Sequence, residues 1–115
     1  MAVIHRAPGE EPTRLATDLT FADGQIRQGI GLMLAQPLEP GEAMVFRFDD
    51  ARNRHVHTWF VRAPIDVVWI EREQVVERMT LPPWSFGRRA RADTIVELPA
   101  DVAADVSAGD IVRID

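Results

Sequence analysis

The chain has 115 residues, 46% of them hydrophobic, which is enough for one domain with a single core and too much for a disordered protein. Cysteine is absent, which excludes disulfides, thiolate metal ligands and a thiol nucleophile, and lysine is absent too, so all 13 basic residues are arginine. The net charge of −5 argues against binding to nucleic acid or to an anionic membrane, because both interactions start from excess positive charge.

The N-terminal residues carry no targeting signal that we can identify. They lack the apolar run and small-residue cleavage site of a secretory signal, and no stretch is apolar for long enough to cross a membrane. We therefore expect a cytoplasmic protein. Residues 1–12, with two prolines and a glycine, predict an extended or poorly ordered arm, followed by a single β domain at 13–115.

The first part of this domain predicts two strands and a short helix. Residues 14–21 alternate apolar and polar side chains, which is the period of a half-buried strand. In residues 25–34 three apolar side chains recur at helical spacing, but two glycines weaken the helix. Residues 42–48 alternate again and predict a strand with Val45 facing outward, and residues 49–54 predict a charged connection.

Residues 54–71 hold the densest run of β-branched and aromatic side chains and predict the centre of the fold. They form two expected strands, 55–61 and 65–70. Pro64 belongs at the bend between them, because proline has no N–H for a strand ladder. The second strand is apolar on both faces, which indicates a central strand covered on both sides.

The rest of the chain predicts further short strands. A polar turn at 71–74 precedes a strand at 75–80, and an irregular loop at 81–91 precedes a strand at 92–98. Residues 101–107 predict one helical turn and residues 110–114 a closing strand. The fold class is therefore mainly β, a single-domain sandwich or barrel of seven to nine short strands with one or two short helices.

Several fragments, in order along residues 14–115, resemble the family called domain of unknown function 192. The resemblance is carried by Gly31-Leu32-Met33, by Gly41 with Met44-Val45-Phe46, by Trp59-Phe60 followed by Pro64-Ile65-Asp66-Val67, and by Val96-Glu97-Leu98-Pro99-Ala100. Two departures are the absence of a Lys-Asn-Thr run after the Trp-Phe pair and Asp101 in place of glycine. The resemblance implies a compact sandwich of jelly-roll-like character and no agreed activity.

Asp66 is the sharpest candidate for a functional residue. It stands between apolar neighbours at the start of the expected central strand, and a buried carboxylate must be hydrogen-bonded or paired. We expect a structural clamp, with Arg62 across the turn as its partner. The alternative is an acid or a ligand acceptor in a cleft, with Arg62 binding an anion.

His55 and His57 place two imidazoles on the same face of a strand, as the metal sites of cupin-type barrels do. Such sites also need a carboxylate a few residues later and a third histidine from another strand. Here the next four residues supply no carboxylate, and His5 is the only other histidine. We therefore expect no metal and no cofactor.

The aromatic and basic residues of the 81–91 loop are further candidates. Trp59 and Trp84 could stack on a sugar or a base, although a lid over the core is the favoured hypothesis for Trp84. Arg88, Arg89 and Arg91 form the one basic cluster and could hold a phosphate or a carboxylate, but a solvated charged loop is the simpler interpretation.

Two functions remain open. The first is a non-enzymatic binding or accessory module, a monomer or weak homodimer that takes a small polar or anionic ligand in a shallow cleft near the 57–66 hairpin and the 82–91 loop. Its candidate binding residues are His57, Trp59, Arg62, Asp66, Trp84 and Arg88. The second is a small hydrolase or lyase with Asp66 as acid/base and His57 assisting, which would require both groups in one water-accessible pocket. A metal site at the two histidines is the lesser alternative.

Overall fold

The computed structural model of the chain describes residues 1–23, 37–56 and 63–115. In these residues the chain forms eight strands and no helix. The strands are β1 (Val3–Arg6), β2 (Thr13–Ala16), β3 (Asp18–Asp23), β4 (Glu42–Val56), β5 (Ile65–Glu71), β6 (Gln74–Leu81), β7 (Arg88–Pro99) and β8 (Ile111–Ile114).

All eight strands belong to one sheet with the order β2-β1-β8-β6-β5-β7-β4-β3. Strands β2 and β3 lie at opposite edges of this sheet, yet only Thr17 separates them along the chain. The sheet must therefore curl until its two edges meet at this residue. The N–H groups of Thr17 and Asp18 both donate to the carbonyl of Gly41, which fixes this corner next to the start of β4.

The curl produces one core on each face of the sheet. The inner core lies inside the curl and contains Val3, Val45, Val68, Val96 and Leu98, each 0% exposed. The outer core lies on the opposite face. It is built around Trp69, with Ile65, Val67, Phe46, Val56, Leu81 and Ile95 among its other members. Strand β5 pairs with β6 on one side and β7 on the other, and its first six residues are buried.

A large bulge in β4 bends the second half of this strand over the outer core. Arg47 pairs with Thr94 and Arg52 with Ala92, so residues 48–51 stand opposite the single residue between those two partners. Such an insertion bends a strand. Beyond the bend the carbonyl of Arg54 accepts a 3.0 Å hydrogen bond from the Trp69 indole N–H of β5.

Arg54 also holds the bulge in shape. Its guanidinium lies 3.6 Å from the centroid of the Phe48 ring, and its Nη2 donates to the carbonyl and to the carboxylate of Asp50. The Nε of Arg54 donates to the Ala92 carbonyl on β7. A single side chain therefore satisfies polar groups that the broken ladder leaves open.

The main features of the predicted fold are confirmed: a mainly β, single compact domain with a central fifth strand that is covered on both faces. The layers come from one curled sheet rather than from two separate sheets. Strands β4 and β7 are long, with 15 and 12 residues, because the residues expected to be connections continue as bent strands.

Several local predictions are wrong. Residues 49–54 belong to β4 rather than to a connection, and Val45 is fully buried rather than outward because both faces of β4 are covered. The 81–91 loop is shorter than expected, since β7 already begins at Arg88. Residues 101–107 form successive turns, with hydrogen bonds such as that from the Ala104 N–H to the Asp101 carbonyl, rather than a helical turn.

Part of the expected extended arm at residues 1–12 belongs to the sheet. Val3–Arg6 forms β1, which lies between β2 and β8 in the sheet, and both Val3 and His5 are buried. The expected helix at 25–34 and most of the expected strand at 55–61 lie outside the described residues, and only His55 and Val56 of that strand are seen, at the end of β4.

Candidate functional site

Asp66 lies on β5 with its side chain on the inner-core face, and it is 0% exposed. Its Oδ1 accepts a 2.6 Å hydrogen bond from the Thr80 hydroxyl of the neighbouring strand β6, directly opposite in register. Its Oδ2 accepts a 2.8 Å hydrogen bond from the backbone N–H of Ala103. Each carboxylate oxygen therefore has a donor inside the protein.

Arg78 completes this group from the next inward-facing position of β6. Its Nε donates to the Ala103 carbonyl at 2.8 Å, and its Nη2 lies 3.8 Å from the Oδ2 of Asp66. The two backbone polar groups of Ala103 are thus both bound by side chains of the central strands. We call Asp66, Thr80, Arg78 and Ala103 the clamp, because they fasten the turns after β7 onto the inner core.

The described part of the chain supplies one guanidinium partner for Asp66 and leaves the expected partner untested. The guanidinium that lies beside Asp66 is that of Arg78, and Arg62 lies outside the described residues. An acid/base residue must exchange its proton with a substrate or with water. Asp66 itself has no exposed surface, and both of its carboxylate oxygens accept hydrogen bonds from the protein.

The loop between β6 and β7 carries the most exposed aromatic side chains of the described residues. Trp84 is 62% exposed and Phe86 is 75% exposed, so neither of them seals the core as a lid would. The Nε2–H of His55 donates to the Phe86 carbonyl at 2.6 Å and ties the loop to the end of β4. Trp84 has a φ of 61°, a left-handed conformation that side-chain-bearing residues rarely adopt.

The basic residues after this loop lie on β7 rather than in the loop. Arg88 forms a 3.5 Å ion pair with Glu77, and Arg91 forms a 3.2 Å ion pair with Glu71. Glu77 pairs with Trp69, so Arg88 lies on the outer-core side, whereas Asp66 faces the inner core. The structure therefore separates two of the predicted binding residues onto opposite faces of the sheet.

Three of the predicted site residues, His57, Trp59 and Arg62, lie outside the described residues. His57 is the second histidine of the metal hypothesis, and the Nε2 of the first, His55, already serves the loop. Within residues 1–23, 37–56 and 63–115, no three histidine or carboxylate side chains are arranged to hold a metal ion.

Glu97 is a buried acid that lies in the 96–100 fragment and was not among the predicted site residues. It lies on β7 opposite Met44 and Val67, so its side chain shares the outer-core face. The residue is 5% exposed, and no described residue donates a hydrogen bond to its carboxyl group. Burial raises the pKa of Glu97 to about 8, so this side chain is protonated at neutral pH. A lone charged residue between valine and leucine in a strand is the signal that could have identified it.

The buried polar pair of His5 and Asp110 was also not predicted from the sequence. The Nε2 of His5 on β1 lies 2.8 Å from the Oδ2 of Asp110, which also accepts the backbone N–H of Ser107. The hydrogen bond from His5 holds the pKa of Asp110 below its usual range. The partners are 105 positions apart, so no local pattern in the sequence could have paired them.

The fold and the clamp define a class of small β proteins in which one curled eight-stranded sheet is closed at one end by a fastened turn segment. The family model for domain of unknown function 192, described as an uncharacterized ACR family, matches residues 6–114. The chain belongs to this family. No helix in the described residues is both long and apolar enough to cross a membrane.

Two similar proteins are named as members of the UPF0127 group. A UPF0127 protein of Pyrococcus furiosus is 34% identical over 97 residues, which cover 81% of this chain and 83% of that protein. A UPF0127 protein of Pyrococcus abyssi is 32% identical over 83 residues, which cover 69% of this chain and 68% of that protein.

Two solved structures share the fold. One, from Sinorhizobium meliloti and described as a candidate transcription regulator, has a TM-score of 0.81 at 21% identity and covers 96% of this chain and 90% of its own. The other, from Novosphingobium aromaticivorans and of unknown function, has a TM-score of 0.78 at 19% identity and covers 98% of this chain and 84% of its own. At these identities the likeness establishes the fold alone.

The clamp predicts that Asp66→Ala destabilises the protein. The substitution removes the acceptor of the buried Ala103 N–H, and a buried unsatisfied group costs roughly 1–3 kcal/mol, whereas the exposed Thr80 hydroxyl can turn to water. Asp66→Asn keeps one acceptor and should cost less. Urea unfolding of the two variants measures both losses.

Asp105→Ala is the matched control for this series, because Asp105 is an exposed aspartate of the same turn segment. It should change the free energy of unfolding by no more than about 0.5 kcal/mol. An Asp66→Ala variant as stable as the wild type would show that the carboxylate does not fasten the turns.

Glu97 predicts a loss of stability as the pH rises. The folded protein holds this proton up to a pH of about 8. The unfolded chain releases it near the ordinary glutamic acid pKa of about 4.3. Between these values the folded state binds more protons, so the free energy of unfolding falls with increasing pH. Glu97→Gln stays neutral and should remove this fall.

Urea unfolding at pH 5 and pH 9 measures the difference between the two proteins. At pH 9 the free energy of unfolding of Glu97→Gln should exceed that of the wild type by at least about 1.4 kcal/mol, the equivalent of one pKa unit. At pH 5 the difference between the two free energies should be smaller. Glu77→Gln, at a part-exposed position, is the control. Parallel pH profiles for wild type and Glu97→Gln would contradict the prediction.

Proposed function

We propose that the protein is a non-enzymatic binding module that takes a small polar or anionic ligand in a shallow cleft beside the 82–91 loop and the 57–66 hairpin. The observation that carries the proposal is the exposure of two aromatic side chains, Trp84 and Phe86, on one short loop. Exposed aromatic groups offer flat surfaces on which a sugar, a base or another ring can stack.

Backbone conformation supports a functional origin for this loop. A tryptophan at a φ of 61° is strained by roughly 1–3 kcal/mol, and such strain concentrates at binding sites and clamps. Most of the Trp84 side chain faces solvent, so its ring is accessible to a ligand. Glycine would adopt the same turn without strain.

Charge favours a small anion over a cation at this loop. Arg88 follows the loop directly, and its side chain remains 51% exposed although Glu77 lies 3.5 Å away. Arg89 is also exposed. A surface ion pair of this kind contributes little, so Arg88 can turn to a ligand at small cost. His57, Trp59 and Arg62 are proposed to complete the cleft from the hairpin.

The burial of Asp66 supports the hypothesis of a binding module over the hypothesis of an enzyme. The hydrolase or lyase hypothesis needs this carboxylate in a water-accessible pocket, and its exposed fraction is 0%. The net charge of −5 supports a small ligand rather than nucleic acid, despite the regulator description of the Sinorhizobium meliloti relative. We further propose that the protein acts in the cytoplasm as a monomer or weak homodimer.

The proposal predicts that Trp84→Gly abolishes ligand binding while leaving the free protein at least as stable. Thermal shift against sugars, nucleotides, organic acids and metal ions identifies a ligand by the rise in melting temperature of the wild type. The variant should lose that rise, and its own melting temperature should be unchanged or higher because the left-handed strain is relieved.

Val76→Ala, at another exposed apolar side chain on β6, is the control and should keep the full ligand response. Two results would contradict the proposal. One is a ligand whose thermal shift survives in Trp84→Gly, and the other is a large loss of stability in that variant, which would make Trp84 structural.

A further inference from the structure

A cavity of about 220 Å³ opens at the end of the inner core, where β4, β5, β7 and β8 come together beside the β5–β6 turn. Its floor includes Ile70 and Val112 of the inner core. The cavity is smaller than the pockets of roughly 300 Å³ and above that hold drug-sized ligands. It therefore suits a small compound or a single functional group.

Three arginines line this cavity, namely Arg47, Arg72 and Arg113, against two carboxylates, those of Glu73 and Asp93. They come from β4, from the β5–β6 turn and from β8, so the fold gathers them from distant parts of the sequence. The whole chain carries five more negative than positive charges, so a local excess of arginine runs against the overall balance.

One of the two carboxylates is already occupied within the wall. The Oδ2 of Asp93 accepts the backbone N–H of Arg72 at 2.9 Å, and its Oδ1 accepts the Thr94 hydroxyl at 2.9 Å. Asp93 thereby stabilises the β5–β6 turn, in which Arg72 has a φ of 51°. This role positions Arg72 at the rim of the cavity.

The arginine side chains retain donors for a ligand. In the described part of the chain, neither Arg47 nor Arg72 forms an ion pair with a carboxylate. The guanidinium of Arg47 lies 5.0 Å from the centroid of the Phe21 ring, a cation–π contact that uses none of its hydrogen bonds to oxygen acceptors. Among the residues that the structure describes, the carboxylate contact of Arg113 is one of 3.4 Å with Asp115, in which both side chains are substantially exposed.

We propose that this cavity binds the phosphate group of a small anion. A guanidinium donates two parallel hydrogen bonds to phosphate oxygens, and a phosphate with about two negative charges at neutral pH matches two or three such groups. The apolar floor would contact the part of the ligand that carries the phosphate. This site is independent of the Trp84 loop, and either can be wrong without the other.

Nitrogen-15 NMR of the full chain tests the proposal, with inorganic phosphate as the probe and chloride at equal ionic strength as the reference. Phosphate should shift the Nε–H signals of Arg47 and Arg72 along a saturable curve, with a Kd of roughly 10 mM or tighter. Glycerol 3-phosphate is titrated in the same way. A lower Kd for glycerol 3-phosphate than for inorganic phosphate would identify a phosphate monoester as the ligand, and the reverse would identify the free ion.

Two variants and a control make the result specific. Arg47→Gln and Arg72→Asn should each raise the phosphate Kd at least about fivefold, and asparagine tolerates the left-handed φ at position 72. Arg52→Gln, whose exposed side chain pairs with Asp50 away from the cavity, should bind as the wild type does. Shifts no larger than those with chloride, shifts confined to residues 84–88, or unchanged affinity in both variants would overturn the proposal.

Discussion

The arrangement of this protein depends on one buried carboxylate. Asp66 has no exposed surface, so its charge must be compensated inside the protein, and the donors are a hydroxyl from β6 and a backbone N–H from the turns after β7. Arg78 binds the carbonyl of the same residue, Ala103, whose methyl group packs in the inner core. The clamp thus couples the central strands to the segment that closes one end of the curled sheet.

The local chemistry of the central strand made part of this predictable. Residues 65–70 are apolar on both faces, which identifies a covered strand, and an acid among them must find partners. The identity of the partners was not predictable, because Ala103 is 37 positions away and Arg78 comes from the next strand. Nor could local periodicity show that Val3–Arg6 is enclosed by two other strands or that residues 48–51 form a bulge.

The candidate sites show the same division between local and distant information. Trp84 and Arg88 could be singled out from the sequence, since aromatic and basic residues in a proline-containing loop are visible there. The convergence of Arg47, Arg72 and Arg113 was hidden, because it results from how the strand ends meet. Asp66 accepts the hydrogen bonds that fasten the turn segment, which is the structural role expected for it from the sequence.

Hydrogen exchange of the Ala103 amide tests most directly whether Asp66 fastens the turn segment. The amide lies in a turn, where protection is normally weak, but the clamp requires it to exchange about as slowly as the amides of β5. In Asp66→Ala its protection should fall by more than the loss of global stability explains. Exchange in the wild type as fast as that of the exposed Asp105 amide would contradict the account.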